Sequence, residues 1–168
     1  VFEGFVGTDN AESLGLEPTY TINYNQFDNV GTYSIVPVLE DTDNYTFTEI
    51  SGELEVTKRP VNFIWLRNRF VYDGTTKAPT AVVKNLVNGD EVILVSTDYE
   101  VIAGDSAGIT VGDYTSKVIS LSGEKAGNYM IAQDEATATH NWTITKATNY
   151  FTVEPVIENW TYGQTASV

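Results

Sequence analysis

The chain has 168 residues, 42% of them apolar, which suffices for one or two domains with ordinary hydrophobic cores. Nine Lys and Arg against 23 Asp and Glu give a formal net charge of -14, which disfavours nucleic acid and anionic lipid as partners. Cysteine is absent, so disulfides, thiolate metal sites and cysteine nucleophiles are excluded.

The N-terminal stretch VFEGFVGTDN lacks the basic and apolar regions of a secretory signal, and no apolar run approaches the roughly 18 residues that span a membrane. We therefore expect no membrane insertion by this segment, and any targeting or anchoring sequence to lie elsewhere in a longer parent protein. The next stretch, DNAESLGL at 9–16, predicts one helical turn that Asp9 or Asn10 caps and Gly15 closes.

The rest of the chain reads as strands joined by turns, because Thr, Tyr and Val are abundant and Gly, Asn and Asp recur at short intervals. GELEVTK at 52–58 alternates most clearly, with Leu54 and Val56 on one face, and HNWTITK at 140–146 repeats the pattern with Trp142 and Ile144. We predict an all-β protein of tandem immunoglobulin-like β-sandwich modules. A β-grasp-like module is the alternative, and it requires a helix packed across the sheet.

Internal repetition is the strongest pattern in the sequence. VGTYSIVPVLEDTDNYTF at 30–47 and VGDYTSKVISLSGEKAGNYMI at 111–131 share one skeleton, GFVGTDNAESL at 4–14 resembles NLVNGDEVILV at 85–95, and NWTYGQT at 159–165 echoes RFVYDGTT at 69–76. The sequence therefore contains three copies, whole or partial, of one unit. Residues 1–58 form a copy without its first strands, residues 59–147 a complete copy, and residues 148–168 the first strands of a third.

These motifs resemble a known family. FVYDGTTKAP, NGDEV, VGDYTSKVISLSGEKAGNY and WTITKA, in that order, resemble the YDG domain of bacterial surface proteins. The first copy and the tail resemble the related MBG domains, whose mark is Tyr-Gly in place of Tyr-Asp-Gly, as in WTYGQT. The resemblance implies tandem modules of large secreted or wall-attached bacterial proteins that act as stalks and adhesive repeats. It brings no catalytic residues.

We expect structural roles for the residues that carry the motifs. Glycines would supply backbone freedom at strand entries, tyrosines would face a core or cover its end, asparagines would bond their own turns, and YDGTT and YGQT would form tight turns between strands. The residues are Gly31, Tyr33, Asn44, Tyr45, Tyr72, Asp73, Gly74, Gly112, Tyr114, Asn128, Tyr129, Trp142, Tyr162 and Gly163.

Catalytic patterns are weak throughout. His140 is the sole histidine, and no Gly-x-Ser-x-Gly elbow lies near it. Glycine-rich phosphate loops and the His-Glu-x-x-His zinc pattern are absent, so we expect neither an enzyme nor a cofactor. The acidic turns EDTDN at 40–44 and AGDSAG at 103–108 raise calcium as a possibility, but neither fits an EF-hand loop and we favour unliganded turns.

Tryptophans 65, 142 and 160 lie near repeat boundaries, where a sugar-binding platform and an interdomain contact look alike in sequence. VNFIWLRNRF at 61–70 is the most apolar stretch of this kind. We favour a buried first strand there, with Arg67 and Arg69 in the following turn, over a binding face.

The function predicted from these observations is a non-catalytic structural and adhesive repeat segment, placed on the bacterial cell surface or cell wall. Its ligand would be a host or cell-surface glycan or protein, bound weakly and through many repeats. The alternative makes the domains accessory, carbohydrate-binding modules of a secreted enzyme that acts on polysaccharide. A third hypothesis is self-association, in which the terminal partial repeats exchange strands between molecules.

Overall fold

The computed structural model describes residues 2–87, 89–153 and 161–163. Within them the chain forms ten strands and three short 3-10 turns, which confirms the all-β, sandwich-like prediction. The strands are β1 (Thr19–Ile22), β2 (Gly31–Val38), β3 (Gly52–Val56), β4 (Arg59–Trp65), β5 (Arg69–Val71), β6 (Ala81–Lys84), β7 (Tyr99–Ala103), β8 (Gly112–Val118), β9 (Tyr129–Ile131) and β10 (Thr139–Thr145). The 3-10 turns are Ser96–Asp98, Ala126–Asn128 and Ala136–Ala138.

The described residues contain no α-helix of the kind that a β-grasp arrangement requires. Residues 11–15 form the single turn that the sequence predicted. The Asn10 side chain accepts the N–H of Ser13 at 2.9 Å, and Gly15 closes the turn at a φ of +62°. No helix in these ranges is long and apolar enough to cross a membrane.

The first module is one antiparallel sheet in the order β1-β2-β3. The second module has two sheets, in the orders β5-β10-β8-β7 and β6-β4-β9, and so contains seven strands. Two of its pairings are parallel: β10 with β5, and β4 with β9.

Alternating side chains from both sheets fill the core of the second module. Val61 and Phe63 of β4 pack with Val118 of β8, which is completely buried. A second apolar cluster lies on the β5-β10-β8-β7 sheet. In it the rings of Tyr114 and Trp142 stack at 4.3 Å, and the buried Trp142 N–H donates to the Ser116 hydroxyl at 2.9 Å.

The two modules share one strand register. Gly31 lies opposite Val56 in the β2–β3 pair, as Gly112 lies opposite Ile144 in the β8–β10 pair. The correspondence continues on the other side of each sheet, where Tyr20 lies opposite Pro37 in the β1–β2 pair, as Tyr99 lies opposite Val118 in the β7–β8 pair. The repeat in the sequence is therefore a repeat of one sheet, β1-β2-β3 matching β7-β8-β10.

The modules differ in burial. Every buried apolar side chain in the described part lies in the second module, between positions 61 and 144. Residues 2–58 contain no buried side chain at all. The first module thus has the sheet of the repeat without an enclosed core.

Candidate functional site

A tyrosine holds the same loop in both modules. In the second, the Tyr129 hydroxyl accepts the N–H of Val87 at 2.9 Å and donates to the Asp90 carboxylate at 2.6 Å. Burial of Tyr129, and then the Asp90 carboxylate, raise the pKa of its phenol above the ordinary value. The phenol therefore stays protonated and keeps both bonds over the whole neutral range.

The first module repeats this arrangement. The Tyr45 hydroxyl accepts the N–H of Val6 at 3.1 Å and donates to the Asp9 carboxylate at 2.8 Å. Asp9 and Asp90 stand at matching places in the stretches 4–14 and 85–95, so the upstream part of the repeat also has a structural counterpart. The tyrosine fastens the loop that carries the aspartate in both cases, from within β9 at Tyr129 and from the segment after β2 at Tyr45.

A second tyrosine also recurs. Tyr33 and Tyr114 each donate a hydroxyl proton to the carbonyl oxygen four residues earlier, on Asn29 and Thr110. Tyr114 is buried and Tyr33 half-buried, in keeping with the complete core of one module and the open sheet of the other.

The glycines that precede these tyrosines do less than the sequence suggested. Gly31 and Gly112 begin β2 and β8, but neither has a left-handed backbone. Their conformations are open to other residues, so backbone freedom is not the reason for glycine at these strand entries.

The YDG segment is not a tight turn between paired strands. Tyr72, Asp73 and Gly74 follow β5 and lead to β6, which belongs to the other sheet, so the segment crosses between layers. The Asp73 carboxylate accepts from the backbone and hydroxyl of Thr75 at 2.9 and 2.7 Å, and from the Lys77 ammonium. Bonds from Lys77 and Thr75 lower the pKa of Asp73 to about 2.

Residues after the YDG motif cover the Trp142 end of the core. The Lys77 N–H donates to the carbonyl of Gly108 at 2.8 Å. A Cβ at Gly108 would lie 2.5 Å from the Lys77 carbonyl oxygen and 3.6 Å from the Trp142 ring. This close approach, with a φ of +62°, requires glycine at 108.

The asparagines also act differently from expectation. Asn128 reaches the first module: its side-chain oxygen accepts the N–H of Val30 at 2.9 Å, and its amide donates to Asn29 at 3.0 Å. In the turn before Tyr45, the local bonds come from Thr42 and not from Asn44. Asn128 is therefore a contact between modules.

A cavity of about 310 Å³ lies beside that contact. Tyr24 and Phe27 of the first module and Arg59 and Asp90 of the second are among its lining residues. Its volume is at the lower end of the range for small-molecule sites. Arg59 is already engaged there, donating to the Asn85 backbone and side-chain oxygens, both at 2.8 Å.

An apolar groove of about 280 Å³ opens on the first module. Tyr20, Pro37, Phe47 and Ile50 line it, and the side chains of Tyr20 and Ile50 are 64% and 86% exposed. These exposed apolar side chains make the groove a candidate for contact with another molecule.

The aromatic stretch at 61–70 enters the fold largely as the sequence favoured. Val61 and Phe63 are buried, while Arg69 is already part of β5 and not in a turn. Trp65 stacks on His140 at 4.9 Å and donates its N–H to the Thr137 carbonyl at 2.8 Å. Two tryptophans are thus used within the second module, and Trp160 lies outside the described residues.

His140 has a structural partner on each side. One face stacks on Trp65, and its Nε2 lies 2.9 Å from the carbonyl oxygen of Arg67. The two acidic turns also use their own carboxylates: Asp41 accepts the N–H of Phe47 at 3.0 Å, and Asp105 that of Ala107 at 3.0 Å. Hydrogen bonds from Ala107 and then from Thr110 and Ile109 outweigh the effect of burial and hold the pKa of Asp105 below its usual value.

Of the last motif, the structure describes Tyr162 and Gly163, which lie in an exposed turn where Gly163 has a φ of +93°. Their neighbours at 154–160 and 164–168 lie outside the described residues, so the pairing predicted for this third copy stays a prediction. In the described ranges, no group of three or more His, Asp or Glu side chains is arranged to hold a metal ion.

Two family models match the chain. That of the MBG domain (YGX type) matches residues 1–55, and that of the YDG domain matches residues 57–139. The matches meet where β3 ends and β4 begins. No curated protein and no solved structure matches the chain significantly.

Proposed function

The chain belongs to the MBG and YDG domain families, and on that premise we propose that it is a non-catalytic structural and adhesive repeat segment of a bacterial surface protein. In this role it is part of a secreted or wall-attached protein and acts outside the cell. It serves as a stalk, as a weak multivalent binding module, or as both.

Repetition of one set of structural contacts is the observation that carries the proposal. The bond from Tyr129 to Asp90 recurs as the bond from Tyr45 to Asp9, and both sheets keep the same register. Contacts that stabilise the fold recur in every copy of a repeat, whereas a catalytic site is formed by residues of one particular copy.

The histidine and the aspartate of the YDG motif are engaged in the fold. His140 is held between Trp65 and the Arg67 carbonyl, and Asp73 is neutralised by Lys77. The two described tryptophans at 65 and 142 are stacked or buried, which gives less support to the alternative of a carbohydrate-binding accessory module.

Weak binding by many copies suits this charge pattern. A net charge of -14 repels anionic cell surfaces at long range, so each contact with a ligand must be short-ranged. Linking modules raises the overall affinity by about 10²–10⁴-fold without new contacts. We expect beads carrying the chain at high density to adhere to target cells, and the free chain to bind them poorly.

Antibodies against the 168-residue chain test the proposed location. We expect them to label intact cells of the source bacterium, and external protease to remove the label. Labelling that requires lysis of the cells would contradict the proposal.

A further inference from the structure

The first and last segments of the second module run in the same direction, side by side. β4 pairs in parallel with β9, with Arg59 opposite Tyr129, and β5 pairs in parallel with β10, with Val71 opposite Thr145. β4 and β5 are the first strands of the module, and β10 is its last. The module therefore begins beside β9, whereas it ends beside the far end of β5.

Side-chain contacts fill the interval between the two parallel pairings. The Thr137 hydroxyl accepts the N–H of Phe63 at 2.8 Å, and the Thr137 carbonyl accepts the indole N–H of Trp65 at 2.8 Å. The Trp65 ring then stacks on His140 at 4.9 Å, and the His140 Nε2 lies 2.9 Å from the Arg67 carbonyl oxygen. The whole first segment of the module is thus fastened along the last one.

The β5–β10 pair has bonds beyond its three paired residues. The N–H of Thr143 donates to the Asn68 carbonyl at 2.9 Å, and the N–H of Tyr72 donates to the Thr145 carbonyl at 2.9 Å. The Thr145 hydroxyl also donates to the Phe70 carbonyl at 3.1 Å. These bonds join the first segment of the module directly to its last strand.

Force that reaches the module from its neighbours along the chain acts at residues 58 and 146. It pulls the first segment towards its N-terminal end and β10 towards its C-terminal end. Because the two segments are parallel, the two pulls are opposite and directed along the strands, so the hydrogen bonds between them are sheared together. In an antiparallel pair the same pulls would separate adjacent ends, and the bonds would open one at a time.

We infer that the second module is a mechanical unit that resists stretching along the chain, with the β5–β10 pair as its clamp. Forced unfolding then requires the bonds of the clamp to break together, which raises the barrier to unfolding without requiring a high equilibrium stability. The inference deepens the stalk role, and it rests on the proposed function for the origin of the force. The resistance itself is a property of the purified chain, so it is measured independently of where the parent protein is located.

Pulling in two directions tests the geometry. The chain has no cysteine, so a pair of introduced thiols at exposed positions defines where force is applied. Lys58→Cys with Lys146→Cys stretches the module between its ends, whereas Thr76→Cys with Lys146→Cys pulls at the adjacent ends of β5 and β10. In single-molecule force spectroscopy on the full 168-residue chain, we expect the first pair to require at least about twice the unfolding force of the second. Equal forces at one loading rate would overturn the inference.

Two half-buried threonines of β10 are a matched pair that locates the clamp. The Thr145 hydroxyl bonds β5 through the Phe70 carbonyl, whereas the Thr143 hydroxyl bonds β8 through the Gly112 carbonyl at 3.0 Å. Valine keeps the shape of each side chain without its hydroxyl. With force applied at residues 58 and 146, we expect Thr145→Val to speed forced unfolding at least about fivefold and Thr143→Val less than about twofold. Equal acceleration would overturn the assignment of the clamp to β5 and β10.

Urea denaturation without force distinguishes a clamp from a general loss of stability. Each valine variant loses one hydrogen bond from a hydroxyl to a backbone carbonyl, so we expect both to lower the denaturation midpoint by similar amounts. A lowered midpoint for Thr145→Val alone would show ordinary destabilisation and would contradict the clamp.

Discussion

Tyr129 donates its hydroxyl proton to the Asp90 carboxylate at 2.6 Å and accepts the Val87 N–H through the same oxygen. Phe at position 129 would leave the N–H and the carboxylate without this partner. We expect Tyr129→Phe to lower the free energy of unfolding by about 1–3 kcal/mol, measured by urea denaturation with tryptophan fluorescence.

Tyr45→Phe is the matched control. Tyr45 makes the same two bonds, but it is only half-buried and its module has no enclosed core. Water can replace the lost partner there, so we expect a change below about 0.5 kcal/mol in a dilute, monomeric sample. Equal losses of stability in the two variants would show that the difference in burial between Tyr129 and Tyr45 has no effect on the strength of these bonds.

Asp73 should titrate far below a normal aspartate. Its pKa of about 2 lies under the unfolded value because Lys77 and Thr75 bond the ionised form. A lowered pKa in the folded state stabilises the fold above the unfolded pKa, and that contribution is lost as the pH falls from about 4 towards 2.

NMR titration of the Asp73 carboxyl carbon measures this directly. Lys77→Met removes the hydrogen bond from the Lys77 ammonium, which lowers the pKa of Asp73 most, and should raise that pKa towards the ordinary value. Titration of wild-type Asp73 near pH 3.9, or no response to Lys77→Met, would contradict the assigned contacts.

Substitution of Gly108 and Gly74 distinguishes the cost of steric crowding from the cost of backbone strain. Both have a left-handed backbone, with φ of +62° and +79°, but only at Gly108 would a Cβ meet the Lys77 carbonyl. We expect Gly74→Ala to cost roughly 1–2 kcal/mol for conformation alone, and Gly108→Ala roughly 1–3 kcal/mol more for the clash. Thermal unfolding of the two variants should show that order, and the reverse order would refute the packing described for this loop.

Asn128 should control the angle between modules without controlling stability. It bonds Val30 and Asn29 across the junction. We expect Asn128→Ala to widen the range of module orientations seen in residual dipolar couplings and to leave the melting temperature of the second module within about 2 °C. Asn141→Ala, which loses only a bond to Thr115, is the control and should leave the orientations unchanged.

Sequence patterns gave the parts of this structure that depend on neighbours along a strand. The alternation at 52–58 and 140–146 and the repeated Gly-x-Tyr motif together predicted which strands correspond, because side chains alternate with a period of two. The helical turn at 9–16 followed from the same kind of local chemistry, a capping asparagine and a closing glycine.

Contacts between distant segments were not predictable in this way. Asn128 and Val30 lie 98 residues apart, and Gly108 meets Lys77 through a packing of two loops. A sequence motif specifies that a turn exists, but the residue that the turn faces depends on how the sheets stack. The Tyr45–Asp9 bond was implicit in the repeat, because Tyr45 and Asp9 occupy the positions of Tyr129 and Asp90.

Amide hydrogen exchange of the full chain, measured at high dilution, tests the central claim that the two modules share one sheet, which is enclosed by a core in the second module and open in the first. We expect slow exchange in β8 and β10, and fast exchange in β2 and β3 despite their identical register. Equal protection of both modules at high dilution would contradict the account, because it would show that the first module encloses a core of its own.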